Sequence, residues 1–329
     1  MKICFLENTK FEYSYRDVHS SKLRGAENIL INISKNLTKM GHEVTVYNNC
    51  DIDTHKDKSN WYNINQINKK NNTIFDFVIS NGDTSLLNKI NAKKYIVFSY
   101  SLQSIEKFLR KGQLFSYLKY KPTYFLIGDY HQKNRSNLIS LFGTQILKLA
   151  IDDKFHKTAI TQKIPENNAI FTSRGDRNLD LLIDIWDKQI FPRFNNAKLF
   201  VTPYKNINEH NNIYLRNMGS RDDLIKDLLK SKILLIPGHK AELFCLAAAE
   251  AQELCIPIVT LGLGSLYERV EHNVNGFIAN NKKQFAEYTI ELFKNDSLWL
   301  KLHNNMISKR GEQNWVSSTN DLINKIKSI

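Results

Sequence analysis

The chain has few of the residues that staple small folds or hold metals. Its four cysteines, Cys4, Cys50, Cys245 and Cys255, lie far apart, with no Cys-x-x-Cys pair and no neighbouring cluster of histidines. That pattern suggests neither a disulfide framework nor a zinc site, and it suits reduced thiols. Long apolar runs are also missing. The longest, Leu243 to Ala249, is fenced by Glu242 and Glu250 and falls far short of the ~20 residues that a membrane-spanning helix needs. The apolar stretch behind Lys2 is too brief for the roughly 7 to 15 residue core of a secretory signal; it reads as a first buried strand. With 42% hydrophobic and 24% charged residues, the chain is too apolar to be disordered and must fold by burial.

At 329 residues the length predicts about two domains of ~100 to 200 residues each. The formal net charge is +13, unevenly spread: residues 1–150 hold 22 of the 46 basic side chains against 12 of the 33 acidic ones. A field of that sign draws polyanions or an anionic membrane surface at low salt, fading beyond ~8 Å at physiological ionic strength. A lysine-rich surface that is merely solvated gives the same sum.

Short strand-like runs alternate with helical patterns, the signature of parallel sheets with crossover helices. The runs in the first half are Lys2–Leu6, Glu43–Tyr47, Phe75–Ser80, Tyr95–Ser99, Tyr124–Ile127 and Ile146–Leu149. Ala26, Ile29, Leu30, Ile33, Leu37 and Met40 form one helical stripe that Gly41 is placed to end. The pattern restarts with Ala169–Thr172, Leu199–Thr202, Ile233–Ile236 and Ile256–Leu261, and Leu179, Leu182, Ile183 and Trp186 predict an amphipathic helix. The expected fold class is therefore α/β with two doubly wound domains, 1–152 and 153–329, the last helix (about 313–328) packing back on the first. The polar stretch Asp152–Asn168 reads as the hinge, and the Asn/Lys-rich segments Asp51–Asn72 and Asn206–Asn212 as surface loops.

The strongest local feature spans Lys232 to Gly276. A strand enters the Pro237-Gly238-His239 turn, and Glu242 to Glu250 predicts a helix whose free N–H groups and dipole, worth ~0.3 to 2 kcal/mol, would seat an anion. On one continuous helix the two glutamates stand about 80° apart in projection and ~12 Å apart in height, so a single ligand touching both must be long. Glu250 follows three alanines, a small-residue surface on which a carboxylate needs a hydrogen-bonding partner, such as a ribose diol. Arg174 and Arg177 flank a strand-to-helix turn and suit bidentate contact with phosphate oxygens, or else salt bridges to Asp176 or Asp180. Gly25, ahead of the first helix, would admit close backbone approach to a ligand.

Glu242 to Val259 resembles the E-x(7)-E segment of the family 4 glycosyltransferases (glycosyl transferases group 1), retaining enzymes of the GT-B architecture. Three more segments agree in order: Arg24-Gly25-Ala26-Glu27 with Gly41-His-Glu-Val, Ser173-Arg174-Gly175 through Leu182, and Gly262-Leu263-Gly264-Ser265 through Asn275-Gly276-Phe277. The resemblance implies two Rossmann-like domains facing across a cleft, with the nucleotide on the C-terminal one and the acceptor on the N-terminal one. It implies transfer from a UDP-, GDP- or ADP-sugar with retention, to a glycan or lipid-linked acceptor in surface polysaccharide synthesis, with no metal and no cofactor. Arg174, Arg177 and Glu242 take the catalytic roles, absorbing charge on the departing diphosphate. Gly25, Arg174, Arg177, His239, Glu242, Phe244, Cys245, Leu246 and Glu250 take the donor-binding ones, Glu250 at the ribose. The expected location is cytoplasmic, with contact on the inner face of a membrane and no specific nucleic-acid partner.

The sequence departs from the family's pattern in three places. Ser99-Tyr100-Ser101 occupies the region where many members carry a histidine, Arg177 replaces a lysine, and Cys245 stands where glycine is common. Asp51-Ile52-Asp53 matches the DxD that binds metal in the other major glycosyltransferase architecture, yet it sits in a loop of Asn, Asp and Lys and reads as solvated. His131 and His239 read either as acid/base groups or as structural histidines. Glu106 to Tyr124 interleaves lysines and arginine with aromatics; this suits a membrane interface or a polyanion, and equally a helical hairpin with a cationic outer face. A non-catalytic polyanion- or membrane-binding protein on the same scaffold is the alternative reading.

Overall fold

The computed structural model describes residues 1–19, 23, 25–51, 53–54, 59–67, 73–205 and 207–329. Arg24 and the middle residue of the DxD, Ile52, lie outside these residues. The chain divides into two compact units, Met1–Ala150 with Trp315–Ile329, and Ile151–Asn314.

The first unit is built on an eight-stranded sheet in the order Asp53–Thr54, Ser59–Asn63, Glu43–Asn48, Lys2–Leu6, Phe75–Asn81, Ala92–Phe98, Thr123–Leu126, Thr144–Ile146. Neighbours are parallel except for the outermost pair, Asp53–Thr54 with Ser59–Asn63. Lys2–Leu6 is buried at every residue but Lys2, as a strand covered on both faces must be. It pairs with Glu43–Asn48 on one side and Phe75–Asn81 on the other, Ile3 lying opposite Val44 and Phe77. The winding reverses there, which makes the carboxyl ends of those strands a topological switch point. The Gly25–Lys39 helix buries Ile29, Leu30, Ile33 and Leu37, the apolar stripe the spacing predicts. The closing helix, Trp315–Lys327, is part of this unit and packs on Gly25–Lys39.

One loop reading and one strand reading are corrected here. Asp51–Asn72 contains the two outermost strands, and Trp61 is fully buried; its polar composition hid a strand carrying one large apolar anchor. The strand expected at Ile146–Leu149 forms instead at Thr144–Ile146.

The second unit holds six strands, all parallel, in the order Ile213–Leu215, Lys198–Val201, Asn168–Phe171, Ile233–Leu235, Ile258–Thr260, Gly276–Ile278. Its switch point falls between Asn168–Phe171 and Ile233–Leu235. The Leu179–Ile185 helix buries Leu179, Leu182 and Ile185 and runs into a wider turn, Trp186–Ile190. Asp152–Asn168 is no free hinge but part of this unit: Asp152 caps the Asp153–Lys157 helix, Phe155 is fully buried, and His156 Nδ1 lies 2.9 Å from Glu253 Oε2.

Candidate active site

At the switch point of the second sheet, the loops after Asn168–Phe171 and Ile233–Leu235 emerge side by side. The first carries Arg174 and Arg177, the second His239 and Glu242. Glycine permits their close packing. Gly175 has no room for a Cβ, because the Tyr204 ring lies against its Cα. Gly264, at φ +71°, lies under the carbonyls of His239 and Glu242, where a Cβ would collide with both. Asn178, left-handed at φ 65°, donates its side-chain amide to the Gly238 carbonyl and ties one loop to the other.

The predicted helix over Glu242–Glu250 is corrected. Helix forms only from Leu246 to Glu253, and Glu242 lies in the turn ahead of it, its N–H on His239 O at 2.8 Å and its carbonyl accepting from Ser265 N at 2.9 Å. The break is at Cys245, whose φ of 57° is left-handed and cannot continue a right-handed helix. Cys245 thus keeps the backbone shape that glycine would take there. The helical spacing of 80° and 12 Å therefore does not apply, and Glu242 is free to face the arginines instead of riding on the helix.

Arg177 Nε lies 3.5 Å from Glu242 Oε2 and Arg177 Nη1 3.6 Å from Asp176 Oδ2. Both the Arg177 and Glu242 side chains are largely buried, at 19% and 21% exposed. Burial raises the Glu242 carboxyl above the usual range, against the pull of Arg177 and Arg174. Arg174 is different. It is 68% exposed and forks onto Asp176, with Nε to Oδ1 at 3.0 Å and Nη2 to Oδ2 at 2.6 Å. The surface salt bridge weighed from sequence is therefore present for Arg174, while Arg177 is the arginine built into the site. His239 accepts from Ala241 N through Nδ1 at 3.0 Å.

Glu250 is 6% exposed, and its partner is a residue the motif reading missed: Arg221 Nη1 donates to Glu250 Oε1 at 2.9 Å. The same guanidinium reaches Asp152 Oδ2 at 3.6 Å. Burial pushes the Glu250 carboxyl up to about 7, Arg221 opposing and Asp152 adding to the rise. Arg221 heads the Arg221–Leu229 helix, behind a Ser220–Asp223 capping box. A cation at a helix N-terminus opposes the macrodipole, and that mismatch was the signal in the sequence that Arg221 serves a partner elsewhere.

Phe244 and Cys245 are buried and Leu246 is half exposed. Arg269 covers Phe244, its guanidinium carbon 3.8 Å from the ring centroid and its Nε donating to the Phe244 carbonyl at 2.9 Å. Burial pushes the Cys245 thiol up to about 12, so it is a packing group and not a nucleophile.

In the first unit Gly25 opens its helix and Glu27, in the first turn, is buried. Sequence reasoning passed over Glu7, at the carboxyl end of the first strand: it is 5% exposed, accepts from the Tyr13 hydroxyl and the Asn81 amide, and burial raises its carboxyl to about 7. Tyr100, in the region expected to hold a histidine, has a buried hydroxyl with no hydrogen-bond partner among the described residues. His131 is fully buried, and burial lowers it to about 4; a histidine held neutral in this way is structural.

Comparison with known proteins bears on the family and the fold. The profile of the family described as glycosyl transferases group 1 matches residues 195–313, beginning beyond Arg177. No curated protein matches by sequence. Among solved structures, sucrose-phosphate synthase from Thermosynechococcus elongatus is 10% identical with a TM-score of 0.71, covering 100% of this chain and 99% of that one. The Anabaena protein Alr3699/HepE in complex with UDP is 14% identical with a TM-score of 0.71 and 100% coverage of both chains. WaaG, a glycosyltransferase involved in lipopolysaccharide biosynthesis, is 14% identical with a TM-score of 0.66, covering 99% of this chain and 100% of that one. Residues 195–313 thus match the glycosyl transferases group 1, and the fold of the chain, two Rossmann-like units, is that of GT-B structures.

Proposed function

We propose that this glycosyltransferase moves a sugar from a nucleotide-diphosphate donor, with retention, to a glycan or lipid-linked acceptor of surface polysaccharide. The observation that carries the reading is the Arg177–Glu242 pair at the switch point of the second sheet, with Arg174 beside it on the same loop. A diphosphate placed there would displace Arg174 from its exposed contact with Asp176 and draw Arg177 from Glu242. Both guanidiniums would then oppose charge growing on the leaving group, and Glu242 would be released toward the sugar. These cations meet the diphosphate charge without a metal ion. Glu250, carried on the helix that follows Glu242, is the ribose acceptor. The binding of UDP by the HepE structure supports a nucleoside-diphosphate donor.

We assign the acceptor to the first unit, at the carboxyl edge where Glu7, Glu27 and Tyr100 lie. A peripheral membrane contact fits the stretch Glu106–Tyr124. It forms the helices Ile105–Arg110 and Leu114–Tyr120, which bury Phe108 and Tyr117 but leave Ile105, Leu109, Phe115 and Leu118 exposed, Phe115 by 71%. Exposed apolar side chains beside Arg110, Lys111 and Lys119 are the composition of an interfacial helix. Among the described residues no helix is long and apolar enough to cross a membrane.

A thermal-shift panel with UDP, GDP, ADP and their common sugars tests the donor reading. A rise with one nucleotide, abolished in Glu250→Ala, is the expected result; no shift with any of them would count decisively against it.

A further inference from the structure

The opposite edge of the first sheet has a site that glycosyl transfer does not use. Parallel sheets bind substrates at the carboxyl ends of their strands, yet a cavity of about 470 Å³ opens at the amino ends of Ala92–Phe98, Thr123–Leu126 and Thr144–Ile146. Lys93, Lys94 and Lys121 line it, with Tyr95, Tyr120 and Thr144 between them. The Tyr95 and Tyr120 rings meet at 4.7 Å, and Lys119 Nζ lies 4.9 Å from the Tyr120 centroid. Asp76 answers part of this charge, held by Lys93 Nζ at 2.7 Å and by the Lys2 N–H at 2.8 Å, and Ile329, the last residue of the sequence, also lines the cavity. Lys94 and Lys121 have no carboxylate partner among the described residues.

The backbone helps to hold this arrangement. Lys121 ends the Leu114–Tyr120 helix in the left-handed region, at φ 46°, its N–H closing on Tyr117 O at 2.9 Å. Pro122 follows at once, which fixes the turn that brings Lys121 beside the strand lysines. Like charges gathered in one concavity repel each other, and an anion entering it relieves that repulsion while meeting several ammonium donors. Ammonium groups act as point charges toward phosphate oxygens, the tyrosine rings offer an apolar wall to the ester's organic part, and the volume fits a small ligand.

We infer that this cavity is a second ligand site, binding a phosphate ester between Lys94, Lys121 and Lys93. The ester is either a soluble phosphate metabolite or the headgroup of an anionic lipid. The second source gains from the same helix, since Leu114–Tyr120 carries the exposed Phe115 and Leu118 and ends at the residues that line the cavity. The site needs nothing from the donor loops, which belong to the other unit.

The full chain is titrated with glycerol 3-phosphate, followed by phosphorus NMR line broadening, with and without saturating UDP. In parallel it is sedimented with vesicles of phosphatidylcholine alone or containing phosphatidylglycerol. Both assays are repeated on the double variant Lys94→Glu, Lys121→Glu, whose exposed positions leave the core untouched. Saturable binding of glycerol 3-phosphate that UDP does not displace, weakened about tenfold or more in the variant, assigns the site to a soluble ester. Sedimentation that depends on phosphatidylglycerol and is lost in the variant assigns it to a lipid headgroup, and both together support both sources. Binding in neither assay, displacement by UDP, or binding that the variant leaves unchanged would overturn the inference.

Discussion

Arg221 should set the acidity of Glu250, and its removal should leave a signature that depends on pH. In the folded protein the Glu250 carboxyl titrates near 7 against an ordinary value of 4.5. Between those values the native state keeps a proton that the unfolded chain has released, so stability falls as pH rises through the window and levels off above it. The shift corresponds to about 3 kcal/mol at ~1.36 kcal/mol per pH unit. In Arg221→Met the opposing guanidinium is gone, the carboxyl titrates higher still, and the decline continues into alkaline solution. A buried carboxylate stripped of its partner costs roughly 3 to 5 kcal/mol, so the variant should match wild type most closely near pH ~5 and fall furthest behind near pH ~9. Asp152 also leans on Arg221 at 3.6 Å, so Arg221→Met removes that ion pair as well. Denaturant unfolding at intervals of pH measures the curves for wild type, Arg221→Met, Glu250→Gln and the double variant. Because Glu7 titrates in the same window, Glu250→Gln isolates the share due to Glu250. The reasoning is refuted if the Arg221→Met curve runs parallel to wild type at every pH, or if Glu250→Gln leaves the wild-type slope unaltered.

Three further substitutions probe the site and its surroundings. Gly264→Ala forces a Cβ into the His239 and Glu242 carbonyls at a left-handed φ; a loss of about 2 kcal/mol or more in unfolding free energy is expected, together with weaker donor binding as the Glu242 turn shifts. Arg177→Met should lower kcat/KM by about 10² to 10³, whereas Arg174→Met should leave the melting temperature unchanged, because that side chain is solvated apart from Asp176; steady-state assays and melts on both variants separate the two arginines. Phe115→Asp, at a position 71% exposed, should leave stability within about 0.5 kcal/mol of wild type while reducing retention on anionic vesicles in flotation; undiminished flotation would remove this helix from the membrane contact.

How much of this was legible in the sequence follows from what each signal measures. Strands covered on both faces, such as Lys2–Leu6 and Ile233–Leu235, announce themselves because burial leaves only apolar residues permissible. Ser59–Asn63 did not, because of its two buried residues, Ser59 and Trp61, only one is apolar, and a single apolar anchor has no period. The helix was extended to Glu242 because composition carries no record of φ: only the backbone shows that Cys245 is left-handed, and a cysteine there gives none of the warning a glycine would. The arginine pair was found by residue type, but its division of labour was not, since the burial of Arg177 goes with its contact to Glu242, a residue far along the chain. Arg221 was missed because its bond to Glu250 spans 29 residues and motif spacing sees only neighbours along the chain. The one local hint was energetic: a cation at the start of a helix, where the dipole disfavours it, must be offset by a contact the helix itself does not supply. Reading such local mismatches as requests for a distant partner finds what periodicity cannot, and Glu250, a buried acid among alanines, is the matching request from the other side.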